Sequence, residues 1–162
     1  MINEFFLPIS MVMSFLVFGF TAKWYVAPAL VGLDRKAALT PFLLFHATRY
    51  IGLAFLIPGV TAEPLDPRFA DPAAYGDLLA AVLALLALMA LRLDWPIAVL
   101  LVWIFNIEGT IDLLNAVSQG LRYTQAGHMG ATYFIPAIVV PALLVTHAIV
   151  FWLLLRKQAR AA

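Results

Sequence analysis

Arg49 interrupts one apolar stretch of the chain, and Glu108 and Asp112 interrupt another. An ionisable side chain in the hydrocarbon core of a bilayer costs about 2.5–3.5 kcal/mol on insertion scales, so such groups meet one another or water rather than lipid. A guanidinium opposed to carboxylates can bind a small polar or amphipathic ligand, relay a proton, or supply a general acid or base to a lipophilic substrate. At 100° per residue Glu108, Asp112, Asn115 and Gln119 fall on one narrow helical face. His46, Arg49 and Tyr50 share another through i, i+3 and i+4 spacing. Facing these two stripes toward each other removes exposed charges in pairs, and Arg49 is expected within direct or water-mediated reach of Glu108 or Asp112. The candidate ligand-binding or proton-relay residues are therefore Arg49, Tyr50, Asn106, Glu108, Asp112 and Asn115.

The elements that must position them are transmembrane helices. Of 162 residues 64% are apolar and 12% charged, and the mean hydropathy is +0.97, a balance that excludes an ordinary soluble domain. A span takes about 20 residues, so the length suits about five in one helical-bundle domain over residues 1–162. The segments are Phe5 to Thr21, Leu39 to Gly59, Ala74 to Leu93, Trp95 to Leu121 and Ala131 to Leu155. The opening Met-Ile-Asn-Glu lacks the positive region of a secretory signal, so the first stretch is read as a retained span. Prolines at 64, 67 and 72 mark the longest connection, and Asp94 before Trp95-Pro96 gives a helix-start signal with Asp94 as cap.

Five spans place Lys23, Arg35, Lys36, Arg92, Arg156, Lys157 and Arg160 at one end and only Arg68 and Arg122 at the other. The positive-inside rule then puts the N-terminus outside and the C-terminus in the cytoplasm. Counting 1.5 Å per residue from the inner ends sets Arg49 and Asn106 at a depth of roughly 16 Å, Glu108 at roughly 20 Å and Asp112 at roughly 25 Å. His46 and His147 both fall at roughly 12 Å by the same rise.

That match admits an alternative in which the two histidines hold haem b. With only two ligands it is the lesser reading, and the expectation is no cofactor and no metal, with His147 acting through packing. Asp77, beside the small-residue face of Gly76, Ala80, Ala84 and Ala87, is read as a solvent-accessible residue near the outer interface. Pro136 and Pro141 are expected to bend the last helix, and His128 to be solvated in its loop.

No phosphate loop, zinc-protease motif or nucleophile elbow occurs, and the absence of cysteine excludes disulfides and thiolate metal sites. The net charge of +1 gives no basis for a nucleic-acid partner. The partners expected are the lipid bilayer, a lipophilic or small polar ligand and, if the polar stripe covers a partner helix, a homo-oligomer.

Gly52-Leu53-Ala54-Phe55-Leu56, Leu65-Asp66-Pro67-Arg68-Phe69-Ala70, Gly76-Asp77 and Asn106-Ile107-Glu108-Gly109-Thr110-Ile111-Asp112-Leu113 resemble segments of small multi-pass inner-membrane proteins of bacteria with no assigned activity. The resemblance implies a bacterial cytoplasmic membrane and no particular chemistry. The leading functional reading is an intramembrane site that binds or helps to move a ligand or proton. Beside it stand a membrane-embedded enzyme, the haem protein and a purely structural subunit.

Overall fold

The computed structural model describes residues 5–124 and 126–156. Among these, five helices are long and apolar enough to cross a membrane: α1 Phe6–Ala29, α2 Arg35–Leu56, α3 Pro67–Arg92, α4 Ala98–Tyr123 and α5 Gly130–Leu155. They run alternately up and down. Arg35, Lys36, Arg92 and Arg156 gather at one end, where Arg156 donates to the Leu30 and Leu33 carbonyls and Lys36 to the Asp94 carboxylate. Of the other expected cations at this end, Lys157 and Arg160 lie outside the described residues.

α3 and α4 form the closest pair, because α3 turns Ala73, Ala80, Ala84, Ala87 and Ala90 inward and small side chains let two backbones approach. α1 stands apart: none of its residues is buried, and it leans on α5.

α3 begins at Pro67, seven positions before the expected Ala74. Proline is tolerated at the first helical position, and Asp66 caps the helix by accepting from the Arg68 amide at 2.9 Å. The Arg68 side chain also donates to both Asp66 carboxyl oxygens and holds that carboxyl down to about 2. Because the shift is downward, the charged cap persists through the ordinary pH range and is lost only as pH falls through about 2. Pro72, further in, forfeits a single bond to the Arg68 carbonyl. Asp94, by contrast, does not cap α4, whose first turn follows Ile97 without a side-chain cap. It occupies a left-handed conformation, φ 53°, and pairs with Lys36 at 2.8 Å.

The connection after α2 is tied to the one before α5. Ala62 and Glu63 donate to the His128 carbonyl, and Ala131 donates to the Val60 carbonyl. Gly130 takes φ 54° here, and a Cβ on it would stand 2.6 Å from the Ala62 nitrogen. α5 then widens into a π-helical turn, Ile135–Val139, around Pro136 before continuing as regular helix from Val140.

α2 changes its winding midway, and this positions the site. Through Ala47 it is α-helical and buries Ala38, Leu39, Phe42, Leu43 and His46; from Thr48 to Leu56 it is a 3-10 helix and buries Arg49, Gly52 and Phe55. The burial period has shortened to three, as expected when side chains at i and i+3 eclipse. Tyr50 is thereby turned outward, 59% exposed, and does not share the inward face expected of it. Nitroxide labels at positions 53, 55 and 56 should show the minimum of oxygen collision at 55. Minima at 53 and 56 would mark an uninterrupted α-helix instead.

Candidate functional site: a buried arginine below an apolar cavity

Arg49 is 1% exposed and is met from three other helices. Its Nε donates to Asp77 on α3 at 2.7 Å and its Nη2 to Asp112 on α4 at 2.5 Å. Nη1 donates to the Gly109 carbonyl at 3.2 Å and points at His147 Nε2 on α5, 3.4 Å away. A guanidinium has only donors, so that histidine nitrogen is the unprotonated acceptor. His147 Nδ1–H then donates to Asn106 Oδ1 at 2.7 Å, and Asn106 returns a bond to the His147 carbonyl at 3.2 Å. His46 lies ring beside ring with His147, centroids 4.1 Å apart. Thr146 sends its hydroxyl proton to the Ala142 and Leu143 carbonyls and accepts from His46 Nε2 at 3.0 Å.

Room for these groups comes from glycines on three helices. A Cβ on Gly52 would overlap the Asp77 carboxylate, and one on Gly76 would overlap that of Asp112. A Cβ on Gly109 would stand 2.6 Å from Arg49 Nη1 and 2.8 Å from His147 Cε1. Gly76, read from sequence as packing alone, also admits the Asp112 side chain.

The network unites Arg49, Asn106 and Asp112 and brings in both membrane-depth histidines. It omits three expected members: Tyr50 faces outward, Asn115 is exposed on α4, and Glu108, half-buried, makes no bond to Arg49 and leaves Oε2 buried without a partner. The buried face of α4 runs through Asn106, Gly109 and Leu113, and the Glu108–Gln119 stripe lies along its margin.

Asp77, read from sequence as solvent-accessible, is 6% exposed and is the partner of Arg49. The earlier start of α3 carries it about 15 Å into the helix at 1.5 Å per residue. A signal for this existed in the sequence. Asp77 falls at helical spacing within Ala70, Ala73, Ala74, Ala80, Ala81 and Ala84, a face whose small residues announce close helix contact.

The two histidine rings lie side by side, inclined at 47°.

Above the network, toward the end carrying the Gly127 loop, lies a cavity of about 610 Å³ between α1, α3, α4 and α5. Phe69, Leu113, Val117, Met129 and Ile135 contribute to its wall, and among the described residues Asp77 is the only charged one lining it. Thr124, whose hydroxyl is buried without a partner, also lines it. Below the network the bundle is closed by Leu39, Leu43, Ala84, Ala87, Val102, Phe105, Val150 and Leu153. The polar centre thus touches an apolar pocket on one side and an apolar plug on the other.

Replacing Arg49 by Met should cost roughly 3–5 kcal/mol of stability, since it strands two buried carboxyls. Adding Asp77→Asn and Asp112→Asn should restore part of the loss. Gly109→Ala should cost about 1–3 kcal/mol through overpacking. Unfolding equilibria in bicelles measure all three, and an Arg49→Met variant as stable as the parent would show that the network carries no such weight.

No curated protein and no solved structure matches the chain. A family model described as Domain of unknown function (DUF8737) matches residues 6–155. That match covers all five helices and the whole of the Arg49 network, and the chain therefore belongs to this family.

Proposed function

We propose that this is a multi-pass protein of the bacterial cytoplasmic membrane that binds a lipophilic or amphipathic small molecule in the cavity above Arg49 and Asp77. One observation carries the reading: a largely apolar cavity of about 610 Å³, within the size range of small-molecule sites, borders one charged side chain among the described residues, that of Asp77. Walls of that kind supply affinity by burial, and the carboxylate orients the polar end. The N-terminus lies outside and the C-terminus in the cytoplasm, because the cationic end of the bundle is the one retained inside. The cavity then opens toward the outer leaflet.

A conduit for a proton or ion is less well supported. Among the described residues, the buried side chains Leu39, Leu43, Val102, Phe105, Val150 and Leu153 between His46 and the cationic end are apolar, and the part-buried Thr40 hydroxyl at that level donates to the Lys36 carbonyl. The binding reading therefore ends in a pocket rather than a path. A structural role for the network is compatible with it, since Arg49 also joins α2 to α3, α4 and α5.

Protein extracted gently from cell membranes should carry a lipophilic adduct in native mass spectrometry. Leu113→Trp or Ala116→Phe, which fill the cavity from α4, should remove it while leaving the protein folded. An adduct of equal occupancy in parent and filled variants would place it elsewhere and overturn the reading. For the orientation, a cytoplasm-active reporter should work when fused after Arg156 and fail after Asp66, and the reverse pattern would invert the protein in the membrane.

A further inference from the structure

Resting on the cavity-binding reading, we infer that the ligand is a single-chain amphiphile with a cationic or hydrogen-bond-donating head, an amine or a hydroxyl, and that acids and phosphates are rejected. The argument turns on which member of the ion-paired centre the cavity can reach. Arg49, the group that would welcome an anion, has a side chain with 0% exposure, and all three of its nitrogens are engaged: Nε by Asp77, Nη2 by Asp112, Nη1 by Gly109 and His147. It does not line the cavity. Asp77 does, with 9% of its side chain exposed and Oδ1 turned away to Arg49.

A ligand head arriving at the floor therefore meets a carboxylate acceptor rather than a guanidinium donor. An anionic head would have to break Arg49 away from partners on three helices to be paired.

Shape restricts the rest. From Leu113 to Thr124 the wall of α4 runs about 16 Å at 1.5 Å per residue, a length suited to one medium alkyl chain lying along the helices. Thr124, which lines the cavity with a buried, unpartnered hydroxyl about 16 Å along the chain axis from Leu113, can hydrogen-bond a polar group at the far end of such a chain but adds no charge.

The test compares dodecylamine, dodecanol and dodecanoate, alike in chain and different in head, by native mass spectrometry of protein in detergent micelles. Dodecylamine should occupy the parent at least about tenfold more strongly than dodecanoate, the worth of one charge-assisted hydrogen bond, with dodecanol between. Asp77→Asn keeps an oxygen for Arg49 Nε and should reduce amine binding to the level of the alcohol. Asp112→Asn, outside the cavity wall, should leave the amine above the acid. Leu113→Trp should abolish binding of all three. Dodecanoate equal to or stronger than dodecylamine, blocked by Leu113→Trp, would overturn the head-group assignment while leaving the pocket in place. Failure of all three probes to bind, or binding insensitive to Leu113→Trp, would instead overturn the cavity reading itself. If Asp77→Asn does not fold, the ranking in the parent and the Asp112→Asn variant still decides the case.

Discussion

A guanidinium that has left water must find a partner for its charge and acceptors for its donors, and in this protein that requirement governs how four helices meet. Arg49 cannot be satisfied by α2 alone. It takes Asp77 from α3, Asp112 and the Gly109 carbonyl from α4, and His147 from α5. Each partner sits at a definite height, so the network fixes rotation and axial register of all four helices together. Burying such charges is a poor way to gain net stability, since desolvation offsets much of the attraction. Its value is specificity, because any sliding of one helix leaves a charge uncompensated. The glycines at 52, 76 and 109 complete the design, for a methyl at any of them would displace a charged side chain from its place.

The same network shapes what the cavity can recognise. Arg49 is held so completely that it is withdrawn from the pocket, and Asp77 is left as the group on display. Below, Asn106 and His147 are bonded to each other, His46 Nε2 to the Thr146 hydroxyl, and a cluster of buried apolar side chains follows beneath them. The cavity is thus walled by apolar side chains and borders one carboxylate, that of Asp77, among the described residues. α1 completes one wall while burying none of its own side chains, and a single hydroxyl contact, Ser10 to Tyr133 at 2.9 Å, ties it to the start of α5.

Much of this frame could be read from residues alone. Apolar runs and the sorting of cations mark five helices, helical phase turns Arg49 toward the stripe of Glu108 and Asp112 without choosing between them, and depth alone matches His46 with His147. The failures have separate causes. A period of 3.6 residues turns Tyr50 inward, but α2 winds at three there. The prolines at 64, 67 and 72 read as loop and put Asp77 near a helix start, whereas Pro67 with the Asp66 cap begins the helix and carries Asp77 inside it. Asn115 belongs to a polar stripe that borders the buried face of α4 rather than forming it. The cavity itself has no linear signature. It arises where small residues such as Ala73, Ala116 and Gly120 from separate helices leave space that α1 and α5 enclose, a property of packing rather than of any one segment.

The account stands on the double clasp of Arg49 by two aspartates in the bundle interior, and solid-state NMR in lipid bilayers reads that clasp directly. With nitrogen-labelled arginine and carboxyl-labelled aspartate and glutamate, magnetisation from the Arg49 guanidinium should pass through space to two aspartate carboxyls. One transfer should vanish in Asp77→Asn and the other in Asp112→Asn. Transfer to a glutamate carboxyl in their place, or to no carboxyl, would contradict the arrangement from which the register of the helices and the chemistry of the pocket both follow.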